Sequence, residues 1–278
     1  PSGPALYCAA MKQSELPMTE LPKQIDLLIE ARWIVPVVPA GTVLEDHCLA
    51  IHQGRIVGLP SQASAADLGV SERIRLGEQV LIPGLVNAHT HAAMSLFRGL
   101  ADDLPLMSWL NEHIWPAEAR WVNEAFVRCG SSLAIAEMLR GGTTCFADMY
   151  FYPEVTARVA MECGIRAQVA FPIIDNPIPG AHDSAEAISK GLRLHDEVKH
   201  NALVQVAFGP HAPYTVGDDV LNRIRTLADE RRFTSIMSTT RAPWMAICRR
   251  GQGAPAPDDL YTRLMLFICT LKEQYRCV

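Results

Sequence analysis

The feature that most constrains this chain is an apolar stretch, Leu81–His91, that ends in two histidines. The run is interrupted by a Pro-Gly pair and then resumes, which predicts a buried strand. Alternate residues of an extended chain project to the same side, so His89 and His91 can present their imidazoles to one point. For a bare pair, ordinary structural histidines are the alternative. We expect a site for one divalent metal, with zinc the expected ion and further ligands supplied elsewhere.

Composition narrows the class of protein. The chain has 278 residues, a formal net charge of -5 and no apolar run long enough to cross a bilayer. This balance gives no basic footprint for nucleic acid or for an anionic membrane surface, so a small-molecule substrate is expected and no nucleic-acid or membrane partner. The eight cysteines are scattered and residues 1–24 lack the features of a signal peptide, which together predict a cytoplasmic protein.

Two regions follow one another along the chain. After an N-terminal extension (1–24), short β-like segments fill residues 25–82 and predict a small β domain. From residue 83 to about 235, strands alternate with helices, and the first two of these helices end at glycines. Alternation of this kind favours a parallel sheet, whose commonest closed form is a (β/α)8 barrel. The predicted helices are 121–140, 154–163 and 184–199, and the predicted strands after the histidine pair are 143–149, 166–174 and 203–208.

Three further polar residues draw attention. His211 follows the fourth predicted barrel strand, where side chains that act in chemistry stand in such barrels. Glu118 follows a Trp-Pro pair in an aromatic segment, 92–121, that we predict to be a loop with a short helix; its carboxylate could accept hydrogen bonds from a sugar diol. Asp148, near the end of the second barrel strand, is expected to have at most a supporting role.

Four blocks in order give the chain a family resemblance: PGLVNAHTHAAMSLFRGLADDLPLMSWL, HIWPAE, GGTTCFADMY and FGPHAPYT. Together they resemble the amidohydrolase superfamily, and within it the subgroup that deaminates 5'-methylthioadenosine and S-adenosylhomocysteine. The resemblance implies an α/β fold, a (β/α)8 barrel preceded by a small β-sandwich. It also implies that His89 and His91 bind the metal, that Glu118 contacts the ribose hydroxyls and that His211 contacts the substrate near the reacting ring.

The implied chemistry is attack of an activated water on C6 of adenine, with release of ammonia and formation of an inosine product. Guanine and cytosine deaminases and triazine chlorohydrolases share the first block, so they stay open as alternatives.

The resemblance stops after about residue 230. It implies a metal-binding histidine 27 residues beyond His211 and a glutamate three residues later, but those positions hold Ser238 and Arg241. A shifted reading frame and a genuine divergent tail (236–278) both remain open. We therefore expect an incomplete barrel that binds metal weakly and turns over little substrate, or a catalytically inactive half-barrel. Dimerisation across the open edge of its sheet would give a homo-oligomer.

Overall fold

The computed structural model describes residues 21–211, 215–231, 234–237 and 245–246. The predictions for most of the N-terminal extension, for Ser238, Arg241 and for most of the divergent tail therefore lie outside the described residues. The chain divides after Pro83 into two compact units, which are described separately below. Within the described residues, no helix combines the length and the apolar character needed to cross a membrane.

The N-terminal unit contains a five-stranded mixed sheet. Strand β1 pairs antiparallel with β2 and parallel with both β4 and β5, while β3 pairs with β2. Gln53 and Gly54, both with positive φ, turn the chain between β2 and β3, as the Gln-Gly pair predicts. A small core lies on this sheet and includes Ile25, Leu28 and Cys48. The strands are β1 Gln24–Ile34, β2 Leu44–His52, β3 Arg55–Gly58, β4 Gly69–Arg75 and β5 Val80–Leu81.

The second unit contains a parallel sheet in which neighbours in sequence are neighbours in space. The order is β6-β7-β8-β9-β10, and a short strand β11 pairs antiparallel with β10. Consecutive parallel strands joined by helices are the arrangement of a (β/α)8 barrel, so the predicted α/β class is confirmed. The strands are β6 Leu85–Thr90, β7 Thr143–Met149, β8 Arg166–Ile173, β9 Val204–Pro210, β10 Thr234–Met237 and β11 Met245–Ala246.

Local capping explains where the connecting helices begin and end. The side chain of Asn123 accepts a hydrogen bond from the N–H of Phe126 at 3.0 Å, and Asp183 accepts one from Glu186 at 2.7 Å. Gly164 ends its helix in the left-handed conformation, with φ of 70°. The helices are α1 Leu106–Ser108, α2 Trp115–Trp121, α3 Glu124–Arg140, α4 Pro153–Cys163, α5 Ser184–Val198 and α6 Asp218–Arg231.

One predicted boundary was wrong. The expected helix 121–140 begins three residues later, at Glu124, because Trp121 is the last residue of α2 and a short break follows it. Val122 is extended and buried, and Asn123 takes the N-cap position of α3, so the chain turns here. The aromatic segment before it does contain short helices, including a 3-10 helix over Ala92–Phe97 and a π-helical turn over Trp109–Ile114.

The helices cover the outer face of the parallel sheet. Their shared core includes Phe146 of β7, Phe171 of β8 and Phe208 of β9, each at most 2% exposed. Strand residues an odd number of positions from these phenylalanines point to the opposite face of the sheet. On that face Met149, Ala170 and Ala207 form a separate small cluster. The carboxyl ends of β6, β7 and β9 therefore lie along one rim of the sheet, and the candidate residues lie at that rim.

Candidate active site

The histidine pair lies at the end of β6. The ring centroids of His89 and His91 are 5.4 Å apart and the ring planes are nearly perpendicular, at 87°. The backbone N–H of His89 donates to the side-chain oxygen of Asn87 at 3.2 Å. Desolvation and the adjacent charge of His91 lower the pKa of His89 to about 4, although the residue is exposed at this rim. A histidine with so low a pKa is neutral at physiological pH, which is the form that binds metals.

The neighbouring strand sets the orientation of His91. Its Nδ1 lies 2.6 Å from the backbone carbonyl oxygen of Met149 in β7. A carbonyl oxygen only accepts, so Nδ1 carries the proton and donates. The Nε2 atom is then the one with a lone pair. Fixing one ring nitrogen in this way is how proteins commonly prepare a histidine to bind a metal through the other.

Asp148 supports the same turn from the buried side. The residue is 2% exposed, and its Oδ1 accepts from the hydroxyl of Thr90 at 2.8 Å and from the N–H of Ala92 at 2.7 Å. These two donors flank His91 in sequence. Burial raises the pKa of Asp148, while the donated hydrogen bonds and the charge of His91 oppose that rise. The carboxylate therefore ties the side chain of Thr90 and the backbone of Ala92, the two residues that flank His91, to β7.

Glu118 is a buried carboxylate that accepts a hydrogen bond from a tyrosine. It lies in α2, is 8% exposed, and its Oε1 accepts from the hydroxyl of Tyr150 at 2.9 Å. Burial raises the pKa of Glu118 to about 7, and the hydrogen bond from Tyr150 opposes that rise. The ring of Tyr150 also lies near the ring of His91, with centroids 6.4 Å apart. Tyr150 thus connects the carboxylate to the histidine pair.

His211 lies just beyond β9. Its backbone N–H donates to the carbonyl of Ile173 at 3.1 Å, which ties it to the end of β8, and its Nδ1 lies 3.1 Å from the hydroxyl oxygen of Thr215. Burial and the charge of His91 lower the pKa of His211. Both effects favour the neutral imidazole of His211, and the second shows that His91 lies close enough to disfavour its charged form.

The structure brings the four predicted residues to one rim. His89, His91 and His211 lie there together, and Glu118 joins them through Tyr150. Two adjacent imidazoles, one of which (His91) directs Nδ1 to a backbone carbonyl and leaves Nε2 for another partner, suit zinc or a related divalent metal as part of a ligand set. In the part of the chain that the structure describes, no group of three or more His, Cys, Asp or Glu side chains could hold a metal by itself.

Sequence reasoning missed several contacts at this rim. Tyr150 and the carbonyl of Met149 were not predicted, and Asp148 was expected to be at most a supporting residue. The sequence offered only a weak signal for these contacts: a polar residue, Asp148, near the end of an apolar strand and an aromatic residue, Tyr150, directly after it. Their partners lie 32 residues away for Glu118 and 56 to 58 residues away for the turn around His91, so no local pattern pairs them.

Comparisons with known proteins give the family. The amidohydrolase family model matches residues 80–240. The 5-methylthioadenosine/S-adenosylhomocysteine deaminase of Saccharophagus degradans is 54% identical over 206 residues, which is 74% of this chain and 46% of that protein. The chain thus spans about half the length of the curated relatives it matches.

Solved structures agree with that match. An adenosine deaminase from Xanthomonas campestris, crystallised with bound zinc, has a TM-score of 0.76 and is 45% identical; the match covers 79% of this chain and 50% of that one. An atrazine chlorohydrolase from Arthrobacter aurescens TC1, complexed with zinc, has a TM-score of 0.68 at 19% identity, covering 76% of this chain and 52% of the other, and shows the fold alone. With a family model that spans more than half of its residues, this chain belongs to the amidohydrolase family.

Proposed function

We propose that this chain carries the first part of a metal-dependent aminohydrolase site that deaminates an adenosine-type nucleoside, 5'-methylthioadenosine or S-adenosylhomocysteine. The observation that carries the proposal is the buried carboxylate of Glu118, held by Tyr150 beside the histidine pair. A carboxylate in this position suits two neighbouring sugar hydroxyls, because each of its oxygens accepts hydrogen bonds. The relatives named above as deaminases of such nucleosides support this substrate class.

Each residue at the rim has a proposed task. His89 and His91 hold one divalent metal, with zinc expected, through neutral imidazole nitrogens. When bound, such a cation would supply Lewis acidity. Lewis acidity lowers the pKa of water and so provides hydroxide to attack the ring carbon that bears the amino group. Glu118 binds the sugar and so fixes the base against the metal. His211, held by Ile173 and Thr215, supplies a neutral imidazole that hydrogen-bonds the substrate near the reacting ring.

The remaining parts of the proposal concern the whole chain. We take residues 25–82 and 83–235 as two domains, flanked by the extension 1–24 and the divergent tail 236–278, in a cytoplasmic protein. The second candidate function is a catalytically inactive half-barrel. It is favoured by Ser238 and Arg241, which stand where the family resemblance implies a metal-binding histidine and a glutamate.

The test combines metal content with ammonia release. The purified chain is analysed for zinc after dialysis and then incubated with 5'-methylthioadenosine. We expect bound zinc below one equivalent and slow ammonia release, both abolished in His89→Ala and His91→Ala. A chain that retains zinc and releases no ammonia supports the inactive half-barrel. Zinc retention that is unchanged in both histidine variants contradicts the assignment of the metal site.

A further inference from the structure

Tyr150 and Glu118 form a buried pair joined by a hydrogen bond in which Tyr150 is the donor. Tyr150 is 5% exposed and Glu118 is 8% exposed, and the hydroxyl donates to Oε1 at 2.9 Å. An ionised carboxylate only accepts hydrogen bonds, so the tyrosine hydroxyl is the donor. Burial and the charge of Glu118 raise the pKa of Tyr150, so its hydroxyl stays protonated throughout the physiological range.

The pair leaves part of the carboxylate available. A carboxylate has two oxygens with about four lone-pair sites, and one donor from Tyr150 occupies one of them. The side chain of Glu118 is held from α2, while the hydroxyl that holds it comes from the residue after β7. Among the residues that the structure describes, two other titratable groups face Tyr150: Asp148, whose charge raises the pKa of the tyrosine, and His91, whose ring centroid is 6.4 Å away.

Without Tyr150, burial acts on Glu118 unopposed. Burial favours the neutral carboxylic acid, and the tyrosine hydroxyl is the group that lowers the pKa of Glu118 against it. A neutral acid has one oxygen that carries a proton, so it accepts two sugar hydroxyls less well than the ion does. Tyr150 also fixes the rotamer of the carboxylate, which reduces the ordering that binding requires.

We propose that Tyr150 is a positioning residue for nucleoside recognition: its hydroxyl holds the carboxylate of Glu118 in the orientation that accepts hydrogen bonds from both hydroxyls of the sugar. The inference rests on the proposed function, because it takes the sugar diol as the ligand of Glu118. Tyr150 acts through Glu118 and not on the substrate directly. Removing the hydroxyl of Tyr150 therefore changes diol recognition without changing the recognition of the base.

The first measurement needs neither metal nor substrate. Glutamate labelled with 13C at the carboxyl carbon is incorporated into the whole chain, and the signal of Glu118 is assigned by its loss in Glu118→Gln. We expect the titration midpoint of Glu118 to rise by about one pH unit in Tyr150→Phe, since a hydrogen bond to a charged group has about that effect. Tyr152→Phe is the matched control, because it removes the same atom two residues away, and it should leave the midpoint unchanged.

The second measurement compares two ligands by direct binding. The dissociation constants of adenosine and of its 2',3'-dideoxy analogue are measured at pH 7 for the wild type, Tyr150→Phe, Glu118→Gln and the double variant. We expect Tyr150→Phe to weaken adenosine binding about tenfold and to leave dideoxyadenosine binding unchanged. In the Glu118→Gln background, removal of the Tyr150 hydroxyl should have no further effect, because the hydroxyl acts through the carboxylate.

The outcomes separate this inference from the proposed function. If adenosine binds and Tyr150→Phe, shown to be folded by its thermal transition, changes neither the Glu118 midpoint nor diol binding, the inference is overturned. An equal loss for adenosine and dideoxyadenosine also overturns it, because that pattern indicates general damage. If the wild type binds neither nucleoside, the proposed function fails, and the Glu118 titration alone decides: an unmoved midpoint refutes control by Tyr150, and a raised one supports it.

Discussion

Glu118 is a buried carboxyl group whose ionisation is coupled to folding. Burial raises its pKa from 4.5 to about 7. The folded state therefore binds the proton more tightly than the unfolded state does, and the neutral acid is the form that favours folding. The stabilisation from this group is present below pH 4.5 and is lost as the pH rises towards 7.

This coupling predicts a pH-dependent difference between the wild type and Glu118→Gln. Between pH 4.5 and pH 7 the wild type should lose stability relative to the variant, by on the order of 3 kcal/mol in total. Urea unfolding across this range measures it. The control is Glu137→Gln: Arg98 lowers the pKa of Glu137 below 4.5, so its contribution is lost only at lower pH and the difference from the wild type should stay nearly constant between pH 4.5 and pH 7. Parallel stability curves for the wild type and Glu118→Gln would refute the coupling.

Asp148 predicts a graded effect of two substitutions. Asp148→Ala leaves the Ala92 N–H without its acceptor in a buried site, whereas the Thr90 hydroxyl can still donate to the carbonyl oxygen of Ala147 at 3.0 Å. We therefore expect a loss of about 1–3 kcal/mol in the free energy of unfolding. Asp148→Asn keeps one carbonyl oxygen as an acceptor, and it should lose less than half as much. Chemical denaturation of both variants measures the two losses. Equal losses would show that the oxygen at Oδ1 is not what holds the turn.

Whether a residue could be predicted depended on the range of its contacts. His89 and His91 were identified because alternation along a strand is a local rule. Asp148 was predicted to have at most a supporting role, but neither its partners nor the role of Tyr150 could be named, since these partners come from other elements and depend on how β6, β7 and α2 pack. The pKa of Glu118 was equally hidden, because burial is a property of the folded chain.

At the scale of elements, the 3-10 helix after His91 packs against α3 through a glycine. A Cβ placed on Gly130 would meet the carbonyl oxygen of Ala93 and would lie 2.8 Å from the Cα of Ala93. Both are backbone atoms, which cannot turn aside as a side chain does. This close approach fixes how near α3 lies to the segment that begins at His91.

Gly130→Ala should therefore push the two elements apart. We expect a loss of about 1–3 kcal/mol in the free energy of unfolding and, for the folded variant, weaker zinc binding because the turn after His91 is displaced. Gly141→Ala is the matched control, since a Cβ there would meet atoms no closer than 3.4 Å. Denaturation and zinc titration of both variants measure the effect. The prediction fails if the two substitutions cost the same.

The alternation of helices and strands was the part of the fold that sequence reasoning gave best. Strand 143–149 matches β7 over its full length, and helix α4 differs from its prediction by one residue. Glycines after α3 and α4 mark the ends of these two helices locally. The break between α2 and α3 was missed, because the capping by Asn123 competes with an apolar pattern that runs through it.

At the scale of the whole second unit, β6 lies at the edge of the sheet that the described strands form. Leu85 is 51% exposed and Val86 is 40% exposed. A groove of about 420 Å³ lies beside β6 and α3 and is lined by residues that include Asn87, Thr90 and Met138. An apolar strand edge of this kind offers unpaired backbone groups to another chain.

We therefore predict concentration-dependent self-association that a charge on β6 reduces. Val86→Lys should shift the chain towards monomer by about tenfold or more in the dissociation constant, because edge lysines oppose strand pairing. Leu100→Lys, at a site 47% exposed in the same unit, is the control and should have little effect. Light scattering over a concentration series measures the association. A wild type that is monomeric at all concentrations would refute the role of this edge.

Three successive residues at the end of β7 contribute to the site. The site should therefore tolerate substitutions in β7 better than insertions or deletions. Asp148 reaches the turn around His91, the carbonyl of Met149 reaches the ring of His91, and Tyr150 reaches Glu118. Deleting or inserting one codon in β7 would reverse which face each side chain occupies. Asp148 would then face Ala170 and Ala207, in the place that Met149 now occupies. Substitutions here change one contact, whereas changes of length alter the histidine and the glutamate together.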